Sequence, residues 1–220
     1  MSQQPPAASD LRARVLAEAA RTPSPTRAVY KRRVLTIAAI GALATASLFV
    51  TMGGFAAGTR PAEMIAFTAG FGLLAAAILT RLSSTGRGSM LGRPRSVLLT
   101  AVVVTAPVLA VVAFGATMAW PDQAHEEMAS GAHFTCGLMS LAQGILPLLA
   151  LLLPRRGSDP VHPAVTGAAL GMTAGAWTVA MAYLRCPHTA ATHCILAHVA
   201  PTLVLTALGA ALGWVMLRVK

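Results

Sequence analysis

The sequence predicts an all-α polytopic membrane protein, a bundle of six transmembrane helices with both termini in the cytoplasm. Three observations carry this reading. Of the 220 residues, 55% are hydrophobic and only 11% charged, whereas a soluble domain carries about 25% charged residues. The mean hydropathy is +0.66, so there is too little polar surface to face water on all sides. Six apolar runs are each long enough to cross ~30 Å of hydrocarbon as a helix. Finally, all but two of the 17 Lys and Arg residues fall on one side when the connections are counted alternately.

From the N-terminus, residues 1–8 are rich in Gln, Pro and Ala and are expected to be disordered. Ser9 or Asp10 can cap a short helix running to about Arg21. Leu11, Val15 and Ala19 recur every four residues with Leu16 beside them, giving one apolar face, while Arg12, Arg14 and Glu18 point elsewhere. Thr22-Pro-Ser-Pro25 breaks that helix, and Arg27–Arg33 leads as a basic run into the membrane. Residues 1–33 therefore form a cytoplasmic head and residues 34–220 a transmembrane domain. A helix this short is marginal alone in water. It can order on a protein partner by the helix-in-groove mode or lie on the bilayer surface.

The six predicted spans are Val34–Ala56, Met64–Thr80, Ser96–Trp120, His133–Leu153, Ala164–Leu184 and Ile195–Leu217, none of which contains Asp, Glu, Lys or Arg. The first begins well inside the chain and five more follow, which argues against a cleaved signal peptide. Pro107, Pro147 and Pro201 lie within spans and should kink them. Gly167, Gly171 and Gly175 in the fifth span and Gly209 and Gly213 in the sixth stand four residues apart. Small residues at that spacing let helix backbones approach closely in lipid, so these two spans are expected to pack together.

Orientation follows from the basic residues. Arg12, Arg14, Arg21, Arg27, Lys31, Arg32, Arg33, Arg81, Arg87, Arg93, Arg95, Arg155, Arg156, Arg218 and Lys220 share one side, leaving Arg60 and Arg185 opposite. The positive-inside rule makes the basic side cytoplasmic. The formal charge of +10 is then a basic collar facing anionic lipid headgroups rather than a nucleic-acid surface.

This topology places Cys186, His188, His193 and Cys194 in the outer loop between spans five and six, with Cys136 and His133 at the outer end of span four. His125 falls in the outer loop before span four, and His198 one helical turn below Cys194. Only His162 among the six histidines is cytoplasmic. Cys186-x-His188-x4-His193-Cys194 offers ligand types that suit zinc or copper(I). A disulfide from Cys136 to Cys186 or Cys194 is the second reading, with one thiol left over for exchange or oxidation. A static disulfide beside uninvolved histidines is the third. The outer face of a bacterial inner membrane is oxidising and allows all three.

Catalysis and transport find no support in the sequence. Gln143 is the most polar side chain at mid-depth, whereas pumps and proton-coupled transporters use intramembrane acids or bases. There is no Gly-rich phosphate loop, no His-Glu-x-x-His and no span-buried histidine pair for haem.

The whole arrangement resembles the six-span bacterial anti-sigma factors of the NrsF type. The resemblance rests on the short Arg-rich head, with Leu11-Arg-Ala-Arg-Val-Leu16 followed by Pro23-Ser-Pro-Thr-Arg27. It rests also on Cys136 at the outer start of span four with Pro147 in mid-span, and on Pro154-Arg-Arg156 leading through Pro163 to Gly167, Gly171 and Gly175. Ala182-Tyr-Leu-Arg-Cys186-Pro and His198 at the top of span six close the set.

The resemblance implies a non-enzymatic role. Such proteins hold an extracytoplasmic-function (ECF) sigma factor at the inner membrane through cytoplasmic segments and free it when an envelope signal arrives. The implied partners are that sigma factor and membrane lipids, with no direct nucleic-acid contact. No cofactor is expected beyond zinc or copper at the outer cluster. Leu11, Arg12, Arg14, Val15, Leu16 and Ala19 become the implied sigma-binding residues, and the flexible Arg81–Arg95 loop a second contact. Cys136 and Cys186 match the family's two outer cysteines, whereas His193 and Cys194 are additions to that pattern. The CarR-like branch of the family would imply light or singlet oxygen as the signal and carotenogenesis as the output. Redox or metal stress are the other signals that Cys136, Cys186, His188, His193, Cys194 and His198 could receive. The rival reading is a periplasm-facing metal- or redox-handling membrane protein with no sigma partner.

Overall fold

A computed structural model describes residues 27–53, 72–78, 80, 94–115, 131–156, 162–186, 188 and 190–218, with positions 13, 17, 63, 66, 70 and 118. The described residues are helical, with no strand among them. The chain divides into two units, Met1–Thr36 and Ile37–Lys220. Leu11, Arg12, Arg14, Val15, Leu16, Ala19, the 81–93 stretch of the basic loop and His125 lie outside the described residues.

The helices described from end to end are α1 (Arg27–Thr51), α2 (Pro94–Ala110), α3 (Ala132–Leu152), α4 (Pro163–Arg185), α5 (Ala191–Cys194) and α6 (Ala200–Met216). A π turn, Val111–Gly115, extends α2, and another, Ile195–Val199, joins α5 to α6. The second has a nearby proline as its cause: Pro201 lacks the N–H that would bond the Ala197 carbonyl, and local π adjustment, with Ala200 N–H donating to Ile195 O, re-satisfies the backbone.

Three helical segments, Ala132–Arg155, Pro163–Arg185 and Ala191–Met216, are long and apolar enough to cross a membrane. These are three among the described residues, against the six expected. Spans four, five and six of the sequence reading are the three that meet the length. In the first, the basic run from Arg27 to Arg33 is helical and leaves only Leu35–Thr51 as its apolar part; in the third, the apolar stretch is Ala101–Ala110. Of Met64–Thr80, residues 66, 70, 72–78 and 80 are described and helical. The last segment starts at Ala191 rather than Ile195, because no residue between Ala190 and Ile195 breaks a helix.

α4 is the central helix, its apolar length mostly buried, while α3 and α6 each keep a broad exposed apolar face. Phe134, Leu138 and Ile145 on α3 and Leu203, Val204, Leu208 and Val215 on α6 are exposed. Apolar surface on that scale is tolerated in lipid, not in water. Thr45, Ser140, Thr173, Thr178, Thr202 and Thr206 each donate to the carbonyl four residues earlier. These hydroxyls thus stay satisfied without water.

The expected pairing of spans five and six is present, and α4 against α6 is the most extensive helix contact. A Cβ added at Gly167 would sit 2.7 Å from Gly213 Cα, one at Gly209 2.8 Å from Gly171 Cα, and one at Gly171 2.8 Å from Thr206 Cα. Backbone meets backbone there, so only glycine fits. α3 docks on the same core through Leu148 and Leu152, which pack with Leu170, Ala174, Leu205 and Leu217.

Candidate functional site

α3 begins, α4 ends and α5–α6 begins at one common end of this bundle, and the reactive side chains converge there. His133, Cys136, Ser140 and Gln143 stand three or four residues apart on α3, which places them along one face. Cys186 caps α4 with φ −75° and ψ 125°, the extended conformation that a following proline, here Pro187, imposes. Its N–H still donates to Ala182 O at 2.7 Å. The sequence reading put His193 and Cys194 in a loop, but both lie in α5.

Cys136, Cys186 and His193 bring their ligand atoms within 4.8 Å of one another. Cys186 Sγ lies 3.2 Å from His193 Nε2 and its thiol is 3.9 Å from the His188 carbonyl. None of the three cysteines is in a disulfide. Cys186 and His193 are buried and Cys136 half-buried.

His193 is also the hub of an imidazole group. Its ring centroid is 5.2 Å from that of His133, 5.0 Å from His188 and 5.2 Å from His198. In a regular α-helix residues five apart point about 140° away from each other. The i→i+5 register of the π turn at Ile195–Val199 narrows that gap and brings His198 round to His193.

Ser140 orients His198. Its hydroxyl donates to Cys136 O at 2.8 Å and lies 3.2 Å from His198 Nδ1. The hydroxyl has one proton, so with that proton on Cys136 O it is Nδ1–H of His198 that donates to Ser140 Oγ. His193 Nδ1 and His133 Nδ1 are buried with no hydrogen-bond partner among the described residues. A buried nitrogen left so costs about 1–3 kcal/mol. Arg185, also buried, donates to Met139 Sδ at 3.0 Å and sets a positive charge beside the thiols.

Cys194 stands apart from the converging group. It is fully buried in an apolar cluster with Ala75, Val108, Val179 and Tyr183, and its Sγ is 3.5 Å from the Tyr183 hydroxyl. His193 and Cys194 are neighbours in sequence, but on a helix adjacent residues point about 100° apart. One therefore faces α3 and the other the Tyr183 side. Of the four residues in the Cys-x-His-x4-His-Cys pattern, Cys186 and His193 join Cys136, His188 contributes a ring contact and a carbonyl, and Cys194 serves the core. Ser140, Tyr183, Arg185 and Met139 were not singled out in the sequence as parts of this site. The α3 spacing from His133 and Cys136 to Ser140 was the signal for the first.

The family model described as NrsF, negative regulator of sigma F, matches residues 16–219. The chain belongs to the NrsF family. That description names a regulatory role, exerted on a sigma factor, rather than a catalytic one. No curated protein and no solved structure matches the chain. Within this NrsF-family chain, Cys136, Cys186 and His193 form a group of side chains that could hold a metal ion.

Proposed function

We propose that the chain is an anti-sigma factor that holds an ECF sigma factor at the bacterial inner membrane and releases it on an envelope signal. The observation that carries this is the family match over nearly the whole chain. In this reading residues 1–33 are the cytoplasmic head and residues 34–220 the membrane domain. Val34–Ala56, Met64–Thr80 and Ser96–Trp120 complete six crossings with the three long helices, and both termini are cytoplasmic. The one-sided distribution of Lys and Arg supports that orientation.

The head supplies the grip. Leu11, Val15, Leu16 and Ala19 are apolar anchors for a groove on the sigma factor, and Arg12 and Arg14 add complementary charge and steering. Sequestered in this way, the sigma factor cannot reach RNA polymerase. The Cys/His end of α3, α4 and α5 lies on the periplasmic side and receives the signal. That signal is light or singlet oxygen if the chain follows the CarR-like branch, and redox or metal stress otherwise. A signal received there must alter the helix packing to reach the head, and α4, anchored in both the α6 interface and the cluster through Cys186, is the element that connects them.

Co-purification of the full chain from its native membrane, with mass spectrometry of bound proteins, tests this. A sigma factor should be recovered with the wild-type chain and lost with Leu11→Asp combined with Val15→Asp. Capture by the double variant, or no sigma factor in either preparation, overturns the reading. Convergence of three metal-ligating side chains favours one rival, a periplasm-facing metal- or redox-handling membrane protein. That rival predicts stoichiometric metal and no cytoplasmic partner.

A further inference from the structure

We infer that Cys136, Cys186 and His193 bind one divalent, thiophilic d10 cation of the Zn(II) class, with both thiolates and the His193 imidazole as ligands. This rests on reading the cluster as the receiving end of the regulator and gives that end its ligand.

Geometry is the first support. Zinc binds thiolate sulfur at about 2.3 Å and imidazole nitrogen at about 2.0 Å in a tetrahedron, which sets ligand-to-ligand edges of roughly 3.5–3.8 Å. The three ligand atoms here already lie within 4.8 Å of one another, and the Cys186 Sγ to His193 Nε2 edge is 3.2 Å. Side-chain adjustments of about 1 Å close the site. The three ligands come from α3, the end of α4 and α5, so a bound cation would tie these elements together.

Donor chemistry selects the cation. Two thiols and an imidazole, with no carboxylate in the group, suit Zn(II) and its soft congeners and not magnesium, calcium or manganese. Charge selects the valence. Binding releases one proton from each thiol, and two thiolates with a dication make a neutral unit, which a buried position tolerates far better than an unpaired charge. His193 is fully buried and its Nδ1 has no hydrogen-bond partner among the described residues. The rings of His133 and His188, beside His193, stand where a fourth ligand would be recruited. Cys194, engaged with Tyr183, takes no part.

The test is a titration of the full, reduced chain in detergent with Co(II) as a spectroscopic probe, followed by displacement with Zn(II). One equivalent should bind with thiolate-to-cobalt charge-transfer absorption and tetrahedral d–d bands, and Zn(II) should abolish both. Cys136→Ser and Cys186→Ser should each weaken the charge-transfer band and the affinity. His193→Gln should weaken binding by more than about tenfold, and Cys194→Ser should leave it unchanged. Circular dichroism of each variant reports that the helices are intact. Absence of saturable binding, full affinity in His193→Gln, or a Cys136–Cys186 disulfide in a chain that binds no cation when reduced would each overturn the inference. Sigma-factor capture on the same preparations separates the two claims. Capture without cation binding removes only the cation, and cation binding without capture removes only the sigma reading.

Discussion

Cys186 Sγ lies 3.2 Å from His193 Nε2, across the short connection that joins α4 to α5. That contact couples the C-terminal cap of the central helix to the start of the helix that packs along it. Any change in the state of the Cys186 sulfur, by ligation or oxidation, therefore acts on both partners of the α4–α6 interface. Cys136, the third member, brings in α3.

Cys194→Ala should leave signal response intact and cost about 1 kcal/mol of stability, the size expected for a small cavity in a buried apolar cluster. Thermal unfolding of the detergent-solubilised variant, read beside its induction profile, checks this. Loss of induction at unchanged stability would put Cys194 back into the site.

Gly171→Ala should disrupt the α4–α6 contact, because its Cβ would sit 2.8 Å from Thr206 Cα and backbone cannot yield as a flexible side chain can. Overpacking of this kind costs about 1–3 kcal/mol. A lowered Tm together with faster proteolysis of the membrane domain is the expected outcome. Gly70→Ala, where an added Cβ meets nothing within 4 Å, is the matched control.

Ser140→Ala removes the acceptor for His198 Nδ1–H and should destabilise the α3–α6 end by about 1–3 kcal/mol. Hydrogen exchange should rise around the π turn Ile195–Val199 more than at the far end of α6. Uniform exchange along α6 would mean that Ser140 does not anchor this turn.

Much of this fold was legible in the sequence, for a physical reason. α3, α4 and α6 come from long apolar runs free of charge, and the four-residue glycine spacing announced the partner of α4. Among the described residues the apolar parts of the first and third runs are Leu35–Thr51 and Ala101–Ala110, and α1 continues N-terminally through the basic segment Arg27–Arg33, which the sequence reads as a lead-in to the membrane.

The candidate site was half legible. Cys186, His188 and His193 are close in sequence and declared themselves, but the convergence of Cys136 with them depends on how α3 packs. Two details were hidden by the assumption that residues 186–194 form a loop. Once His193 and Cys194 are helical, they must face different directions, and only one can serve the cluster. The π turn that swings His198 toward His193 arises at Pro201, a residue that marks a kink in the sequence without revealing the histidine register it sets.

Transcription from the sigma-dependent promoter in the native host is the direct readout of sequestration and of release through the cysteines. It should be compared among cells with the wild-type chain, cells lacking it, and cells with Cys136→Ser and Cys186→Ser together. Transcription should be constitutively high without the chain. In the double variant the promoter should be locked and unresponsive to oxidant or metal, while the wild type switches on. Low transcription in cells lacking the chain would contradict sequestration, and wild-type induction in the double variant would contradict release through the cysteines.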